Sequence, residues 1–393
     1  MRVLFVAGAS PATVFGLVPL ATAVRAAGHQ VFLASTEEMM PVVARTGLAG
    51  VPVTDQPLTR YLRHDRAGRA KHFPHGETGP PHRQRAFVGQ WFGQLAADSL
   101  PSLRGLTAHW RPDLVVGGSL AYAAALISAE LGVPYVRLAW DYDDSSLMDA
   151  AAEAELAPEL ARAGRVRLPA PDLRVDVCPP SLTAPGAPPA ELMRWIPGNL
   201  QCRLAPWMYT RGERRRVCVT AGSRATREQS TDFVRGLVRA LDPFDVDIVV
   251  PAPDDLAAGL RDLDGRIRAD WIPLDVLAPT CDLFVHHAGA ATALTAMAAG
   301  VPQLVIPEAA VFAPPAQRVA DFGAALLLPP DAATPEAVAR ACGDLLEDPG
   351  HRERALTLAR EIAAMAPPAE LAVALAELAS AARASGTPHS TAA

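Results

Sequence analysis

The sequence predicts an α/β protein of two doubly wound lobes, each a parallel sheet with helices on both faces. Short apolar runs of strand length alternate with helical segments, as at RVLFVAG near the amino terminus and at RPDLVVGG further on. The alternation begins again at VCVTAG in the second half of the chain. At 393 residues the chain is also too long for one ordinary domain, so two lobes of similar size are expected.

The composition of the chain excludes several classes of binding partner. A net charge of -6 and a pI near 5.9 argue against a nucleic-acid surface. No apolar run reaches the roughly 20 residues that span a bilayer, so no membrane partner is expected. Five cysteines without CxxC spacing fit reduced thiols in a cytoplasmic protein and predict no metal site. Composition leaves both a monomer and a homodimer open.

The first lobe can be followed in order. RVLFVAG has the length and branching of a buried parallel strand, and a loop and a helix ending at Gly28 lead to the strand VFLAS. The same unit recurs as RPDLVVGG, the helix YAAALISAELG and the strand VPYVRLAWD. Consecutive strands joined by helices predict a parallel sheet.

A less regular segment, residues 54–85, interrupts this lobe. It is rich in glycine, proline and histidine and too long for a simple connection, so we interpret it as a mobile acceptor-side loop or as a solvated insertion. The helix AFVGQWFGQLAADSL follows and places Phe87, Trp91 and Leu95 on one face. Core packing is the ordinary role of such a face, and a pocket for a flat ligand is the alternative.

The lobe boundary is predicted near residues 200–215, after proline-rich text that cannot hold a regular helix. Beyond it, the strands are VCVTAGS, VDIVVPAP, IRADWIPL, DLFVHHAG, QLVIP and ALLLP. We therefore assign residues 1–205 to the first lobe, 215–365 to the second, and 366–393 to a carboxyl-terminal helix with a tail expected to be disordered.

The most informative stretch is CDLFVHHAGAATALTAMAAGVPQLVIP, a strand, turn, helix and strand. Its small residues let backbone amides approach a ligand, and the start of the helix favours a negative charge, so a phosphate is the expected guest. His286 and His287 stand at the carboxyl end of the strand, where open parallel sheets place ligands. No GxGxxG or Walker motif occurs, which argues against a dehydrogenase. Small-residue turns are also common in doubly wound domains that bind no phosphate.

Nearly the whole chain resembles the inverting GT-B glycosyltransferases of antibiotic biosynthesis. The motifs that carry the resemblance are FVAGASPATVFGLVPLATAVRAAGH, VPYVRLAWD, CVTAGS, DWIPLDVLAPTCDLFVHHAG and AGVPQLVIP. Within that family the chain is most similar to the olivosyltransferases of angucycline biosynthesis, such as those of the urdamycin and landomycin pathways. The resemblance implies two Rossmann-like lobes facing a cleft, with an acceptor-binding lobe at 1–205 and a nucleotide-sugar-binding lobe at 215–365.

The resemblance also implies the donor-binding residues. His287 matches the histidine that contacts the diphosphate, and Ser223 lies in the other phosphate-facing turn. Trp271 matches the aromatic residue that stacks on the base, although such a tryptophan could also be ordinary core. The full implied set is Ser223, Trp271, Ile272, Leu274, His287, Gly289, Ala290, Ala291 and Thr292.

One departure from the family concerns the sugar. Val311 and Phe312 stand where relatives have an Asp-Gln pair that bonds sugar hydroxyls. Apolar side chains cannot satisfy those hydroxyls, so the hypothesis is a 2,6-dideoxysugar such as D-olivose, carried on dTDP. This dTDP-deoxysugar is a co-substrate, and neither a cofactor nor a metal is expected.

A second departure concerns the acceptor. The loop GASPATVFG lacks the histidine base of many relatives, and its hydroxyls are too weakly basic to replace it. We therefore predict that Asp141 deprotonates or orients a phenol of an aromatic polyketide, with a helix-capping role as the alternative. The predicted acceptor-binding residues are Ser10, Thr13, Phe15, Trp91 and Trp140.

The regiochemistry stays open at this point. A phenolate is nucleophilic at oxygen and at its ortho and para carbons, and the family contains both C- and O-glycosylating enzymes. The SPATVF opening resembles the C-type members and favours C-glycosylation. A nucleotide-sugar epimerase and a non-catalytic helper are competing classes, and the presence of Asp141 and His287 favours an enzyme over a helper.

Overall fold

The computed structural model describes residues 1–74, 80–143, 145–200, 202–223, 227–260 and 267–385. The chain forms two compact units. Unit 1 comprises Met1–Val177, Ala184–Arg194 and the residues from Ala366 onward, and unit 2 comprises Cys178–Thr183 and Trp195–Met365. Each unit is a parallel sheet covered by helices, as the alternation of strands and helices predicts.

The described part of unit 1 holds a seven-stranded sheet, and every strand pair in it is parallel. Its strands are β1 (Arg2–Val6), β2 (Gln30–Ser35), β3 (Ala49–Pro52), β4 (Leu114–Gly118), β5 (Tyr135–Leu138), β6 (Leu173–Asp176) and β7 (Glu191–Leu192), in the order β3-β2-β1-β4-β5-β6-β7. The central strands are apolar at nearly every position because helices cover both faces of the sheet. The strand order reverses between β1 and β4, which is where such sheets bind ligands.

The first eight α-helices of the described chain belong to unit 1 and connect its strands. They are α1 (Pro11–Phe15), α2 (Val18–Ala26), α3 (Met40–Arg45), α4 (Leu58–Arg63), α5 (Pro81–His109), α6 (Tyr122–Leu131), α7 (Ser146–Glu155) and α8 (Ala157–Arg162), with a 3-10 turn at Glu37–Met39. Helix α5 packs closely on α7 because Gly89 and Gly93, one turn apart, present no side chain to it.

The described part of unit 2 holds a six-stranded sheet in the order β10-β9-β8-β11-β12-β13. Its strands are β8 (Arg215–Thr220), β9 (Val246–Pro251), β10 (Ile267–Asp270), β11 (Leu283–His286), β12 (Gln303–Val305) and β13 (Ala325–Leu327). The helices are α9 (Pro206–Tyr209), α10 (Arg227–Ala240), α11 (Asp254–Ala258), α12 (Leu274–Leu277), α13 (Ala290–Ala298), α14 (Ala313–Asp321), α15 (Pro335–Glu347) and α16 (Pro349–Ala364), with 3-10 turns at Pro180–Leu182, Ala278–Thr280, Ala310–Phe312 and Pro330–Ala332. The order reverses between β8 and β11.

The last helix, α17 (Pro368–Ser385), differs from the prediction of a separate segment at 366–393. It packs against α2 and belongs to unit 1. A backbone hydrogen bond fixes the point at which the chain returns to unit 1, since the amide of Arg194 donates to the carbonyl of Ala366 over 2.8 Å. Sequence periodicity showed an apolar helix there but not which lobe would cover it. The tail expected to be disordered, SGTPHSTAA, starts at Ser385, which is the last residue of this helix, and residues 386–393 lie outside the described residues.

The irregular segment 54–85 is held against unit 1 where it is described. Helix α4 lies within it, and Arg66 pairs with Glu159 of α8 over 2.7 Å. The ring of Phe73 meets that of Phe87 edge to face, with centroids 5.4 Å apart. The described part of the segment thus packs on unit 1. Its mobility and its place beside an acceptor stay predictions, and residues 75–79 lie outside the described residues. Among the described residues, none of the helices is long and apolar enough to cross a bilayer.

The α5–α7 contact gives a test of packing in unit 1. A Cβ at Gly89 would overlap the carbonyl oxygen of Met148, whereas one at the exposed Gly105 of the same helix meets nothing within 4 Å. We expect Gly89→Ala to lower the free energy of unfolding by about 1–3 kcal/mol through overpacking. Gly105→Ala should raise it by about 0.5–1 kcal/mol because the unfolded chain loses freedom. Denaturant titration measures both, and equal effects would contradict the packing.

Candidate functional site

Unit 2 brings two turns together at the reversal of its strand order. His286, the last residue of β11, lies opposite Thr220, the last residue of β8. The turn after each strand therefore emerges at the same edge of the sheet. One turn carries Ser223, which is half-buried, and the other carries His287. The predicted juxtaposition of these two residues' turns is present in the structure.

His286 shapes the turn rather than facing a ligand. It is 0% exposed, and its Nδ1 accepts the backbone N–H of Ala288 over 3.2 Å. The proton must then sit on Nε2, which donates to Oε1 of Gln303 over 2.9 Å. Burial and then the neighbouring His287 lower the pKa of His286 to about 3, so the ring is neutral. The paired histidines of the sequence thus differ: His286 is buried in the turn, whereas His287 is half-buried, and its contact with a diphosphate stays a prediction.

The turn between His286 and the helix is strained. Ala288 has a φ of 72°, a left-handed value that alanine adopts at a cost of about 1–2 kcal/mol. This conformation lays the imidazole of His287 against two glycines. A Cβ at Gly289 would lie 2.8 Å from Nε2 of His287, and one at Gly222 would overlap the ring. Two glycines and one strained alanine therefore fix where that imidazole lies.

Helix α13 begins directly after this turn. Its first-turn residues Ala290, Ala291 and Thr292 have backbone N–H groups with no carbonyl to bond inside the helix. The N-cap, Gly289, has no side chain that could cap them. Amides at a helix start beside an imidazole form an arrangement that suits a phosphate. Thr292 as a whole is buried, at 6% exposure.

The turn after β8 is held by a threonine that the sequence reasoning missed. The hydroxyl of Thr220 donates to the carbonyl of Pro251 over 2.9 Å and accepts the N–H of Gly222 over 3.0 Å. Gly222 has a φ of 87°, which only glycine adopts without strain. Thr220 could have been found from the sequence, because it is a polar residue at the end of a largely apolar strand. The same signal is weaker for Gln303, because that residue begins β12.

The residues that the resemblance assigns to the nucleoside differ in how exposed they are in the structure. Trp271 follows β10 at the carboxyl edge of the sheet and is half-buried, and its indole N–H finds no acceptor among the described residues. Ile272, in contrast, is 3% exposed and packs in the core with Cys218 and Phe284. Leu274 packs against the same core. Ile272 thus contributes to the core, Leu274 is half-buried beside it, and contact of either side chain with a donor stays a prediction.

The segment after β12 also differs in part from its prediction. Val311 is 2% exposed, so its side chain faces the protein interior and not a sugar. Phe312, its neighbour in the 3-10 turn, is half-buried and keeps apolar surface available. These two consecutive residues of one tight turn differ in exposure, which the sequence alone did not resolve.

Unit 1 places Asp141 just beyond β5, next to the end of β4. Ser119 follows β4, and its hydroxyl donates to Oδ1 of Asp141 over 3.1 Å. The same hydroxyl oxygen accepts the backbone N–H of Trp140 over 3.2 Å. Burial first, and the negative charge of Asp143 second, raise the pKa of Asp141 to about 7, against the lowering effect of the Ser119 hydroxyl. A carboxyl that ionises near neutral pH is suited to general base catalysis.

The negative charge of Asp143 is itself compensated by Arg85 of α5. Nη2 of Arg85 lies 2.9 Å from both carboxylate oxygens of Asp143, and both side chains are largely buried. The pair holds the residues just after Asp141 in place. Arg85 and Asp143 were not identified from the sequence, because residues 58 positions apart show no local pattern.

Two of the predicted acceptor residues, Trp91 and Trp140, each lie close to Phe92. The rings of Trp91 and Phe92 stack with centroids 3.7 Å apart, and that of Phe92 lies 6.1 Å from that of Trp140. A Cβ at Gly118 would overlap the indole of Trp140, so this ring crosses the end of β4. Phe15 and Trp91 are 6% and 7% exposed, which gives both a packing role in the described structure. Their contact with an acceptor stays a prediction.

Ser10 and Thr13 bond to each other in a capping box at the start of α1. The hydroxyl of Thr13 accepts the N–H of Ser10 over 3.3 Å and donates to its carbonyl over 2.8 Å. Both side chains are nearly buried, at 8% and 9% exposure. Their structural role is to fix the loop after β1, and acceptor binding by their side chains is likewise untested. No group of three or more potential metal ligands occurs among the described residues.

The glycine beside His287 gives a test of the donor turn. We expect Gly222→Ala to lose about 1–2 kcal/mol of stability from its positive φ. It should also bind thymidine diphosphate at least about tenfold more weakly, a loss of about 1.4 kcal/mol, because the new Cβ displaces the imidazole.

The matched control is Gly323→Ala in the same unit. Gly323 has a φ of 90°, and its Cβ would meet only the flexible side chain of Arg354, at 3.3 Å. This variant should lose similar stability and bind the nucleotide like wild type. Calorimetric titration with thymidine diphosphate separates the two, and equal affinity in both variants would show that the turn is not the nucleotide site.

Comparison with known proteins agrees with this geometry. Residues 22–222 and 235–378 match the N-terminal and C-terminal domains of the erythromycin biosynthesis protein CIII-like family. The chain is 32% identical over 382 residues to the L-demethylnoviosyl transferase of Streptomyces niveus, covering 96% of this chain and 98% of that one. It is 29% identical to the aclacinomycin-T 2-deoxy-L-fucose transferase of Streptomyces galilaeus, covering 94% of each.

A solved structure extends the likeness to the whole fold. The Streptomyces sp. SF2575 glycosyltransferase SsfS6, complexed with thymidine diphosphate, superposes with a TM-score of 0.85 at 30% identity, covering 96% of this chain and 99% of that one. The two parallel-sheet units are the Rossmann-like domains of the GT-B fold. The chain therefore belongs to the erythromycin biosynthesis protein CIII-like family of antibiotic biosynthesis, and it is a glycosyltransferase.

Proposed function

We propose that this glycosyltransferase moves a 2,6-dideoxysugar, D-olivose, from dTDP to an aromatic polyketide of the angucycline type, with inversion at the anomeric carbon. The observation that carries the proposal is the carboxyl of Asp141, which has a pKa of about 7 and lies beside the aromatic side chains of unit 1. A phenol needs a base of this strength near neutral pH. Membership of a transferase family removes the epimerase alternative.

The donor assignment rests on unit 2. The imidazole of His287 and the first amides of α13 are suited to a diphosphate that gains charge as it leaves. The relative solved with thymidine diphosphate supports dTDP as the carrier. A second relative, named for 2-deoxy-L-fucose, supports a deoxysugar. The apolar surface of Phe312 favours a sugar with few hydroxyls, because a buried hydroxyl without a partner costs free energy.

The reaction is a single displacement. Asp141 accepts the phenolic proton, the acceptor atom forms a bond to the anomeric carbon, and the bond from that carbon to the diphosphate breaks with its electron pair leaving on dTDP. In O-glycosylation the phenolate oxygen forms the new bond. In C-glycosylation an ortho or para carbon forms it, and the proton on that carbon then passes to solvent while the ring oxygen takes a proton from solvent, which restores the aromatic phenol. Attack opposite the diphosphate inverts the anomeric centre.

C-glycosylation is the form that we favour, because the SPATVF opening resembles the C-type members of the family. The capping box of Ser10 and Thr13 gives that opening a fixed shape. A rigid loop beside the acceptor selects one atom of an ambident phenolate by orientation, and orientation is worth large factors in rate.

Replacement of the proposed base is the first test. Asp141→Asn should lower kcat by about 10²–10⁴-fold and leave the affinity for thymidine diphosphate unchanged. It should also stabilise the protein at neutral pH. The folded pKa of Asp141, about 7, lies above the usual carboxyl value near 3.9, so its contribution to stability is complete below about pH 4 and is lost as pH rises through 7.

The control carboxylate is Asp113, at the amino end of β4, where it accepts the N–H of Arg2 over 2.6 Å. Asp113→Asn should keep wild-type kcat. Denaturant titration at pH 4 and pH 8, beside initial rates, checks both expectations. An Asp141→Asn enzyme with full turnover would end the assignment of the base.

The donor and the bond formed are tested with products. With dTDP-olivose and an angucycline phenol, mass spectrometry should show one added dideoxysugar, and UDP-glucose should give far less product. Acid treatment then separates the outcomes, since O-glycosides of deoxysugars hydrolyse readily and C-glycosides resist. A clear preference for UDP-glucose would contradict the deoxysugar assignment, and an acid-labile product would contradict C-transfer.

A further inference from the structure

We propose that Ser119 is a positioning residue for the reaction: its hydroxyl holds one oxygen of Asp141 and leaves the other as the atom that takes the acceptor's proton. The inference rests on the proposed role of Asp141 as the base. It concerns a residue on a different strand end, 22 positions away in the chain.

The direction of each hydrogen bond at Ser119 follows from chemistry. A backbone N–H can only donate, so the Trp140 amide, 3.2 Å away, must be accepted by the serine oxygen. The serine proton is then free for the neighbouring carboxylate, whose Oδ1 is 3.1 Å away. One hydroxyl thus ties the backbone of Trp140 and the side chain of Asp141 to the end of β4.

This arrangement makes the two carboxylate oxygens unequal. Oδ1 is engaged by Ser119, and no hydrogen bond to Oδ2 is recorded within the described residues. A general base must present a lone pair on an atom within about 2.6–3.2 Å of the heavy atom whose proton it takes. Fixing Oδ1 sets the direction of Oδ2, because the carboxylate is planar. Ser119 is 6% exposed, so water does not compete easily for its hydroxyl.

Other charges around Asp141 act on its ionisation but not on its orientation. Asp143 and Asp176 raise its pKa, whereas Arg137 lowers it. Arg85 is paired with Asp143, and Arg137 with Asp149 over 2.7 Å. The Ser119 hydroxyl is the largest effect that favours the ionised form. Its removal should therefore both release the carboxylate and raise the pH at which it ionises.

The test compares two serine-to-alanine variants of unit 1. Ser119→Ala removes the hydroxyl at Asp141. Ser128→Ala is the control, because this serine is also buried, at 1% exposure, and its hydroxyl donates to the carbonyl of Ala125 over 2.9 Å, within α6. Ser119→Ala loses the hydrogen bonds to Asp141 and from Trp140, whereas Ser128→Ala loses one hydrogen bond and leaves the carboxylate untouched.

The measurement is kcat/KM against pH with a dTDP-deoxysugar and a phenolic acceptor, beside affinity for thymidine diphosphate. For Ser119→Ala we expect kcat/KM at pH 7 to fall about 10–100-fold and the acidic limb to move up by about one pH unit, with nucleotide affinity unchanged. Ser128→Ala should keep the wild-type limb. Ser119→Thr, which retains the hydroxyl, should return the limb toward wild type.

The results separate this inference from the proposed function. If Asp141→Asn is inactive but Ser119→Ala keeps the wild-type limb and rate, Ser119 does not position the base. If Asp141→Asn retains full activity, the base assignment itself is wrong. Should Ser119→Ala fail to fold, Ser119→Cys keeps the volume and weakens the donor, and a smaller upward shift of the limb is expected. A limb that does not move in that variant overturns the proposal.

Discussion

The structure depends on one constraint: parallel strands that end side by side put their following turns within reach of each other. In unit 1 the neighbouring ends are those of β4 and β5, and in unit 2 those of β8 and β11. At both places a side chain accepts a backbone N–H and so fixes the turn. Ser119 accepts from Trp140, and His286 accepts from Ala288. The two residues to which we assign reactive roles, Asp141 and His287, lie in these turns, beside hydrogen bonds whose donors and acceptors cannot exchange roles.

These fixed turns carry a cost in stability that a purely structural turn would avoid. Ala288 holds a left-handed φ where glycine would be relaxed. Asp141 ionises only near neutral pH because its surroundings disfavour the charge. In both cases the rest of the sheet maintains a local arrangement that the isolated segment would not adopt. Such concentrations of strain and shifted ionisation are typical of working sites.

The sequence was sufficient for the sheets and for the location of the donor turn. Buried parallel strands are apolar throughout, so their positions can be seen in a single sequence, and small residues after β11 indicated a close backbone approach. The sequence was not sufficient to show which way a side chain in a short segment faces. Ile272 and Val311 face the core, and no periodicity exists in segments of four residues or fewer to show it.

Long-range partners were also beyond reach. Ser119 meets Asp141, His286 meets Gln303, and α17 meets α2 only after the chain has folded back. A serine after a strand resembles many others, and only its partner distinguishes it. The two histidines illustrate the same limit. They are adjacent in the sequence, and their different surroundings become visible only in the folded structure.

That difference between the histidines has a consequence for pH. The pKa of His286, about 3, lies far below the range in which such an enzyme works, so its hydrogen bonds to Gln303 and Ala288 keep one arrangement throughout. The shape of the donor turn is then independent of proton concentration as far as this residue sets it. Asp141 has the opposite character, since its pKa of about 7 makes its charge follow the medium. In the proposed mechanism, a fixed frame for the leaving nucleotide and a titrating base for the acceptor are therefore built from the same kind of strand-end hydrogen bond. The difference between them arises from the electrostatics of one buried imidazole and one carboxyl flanked by Asp143.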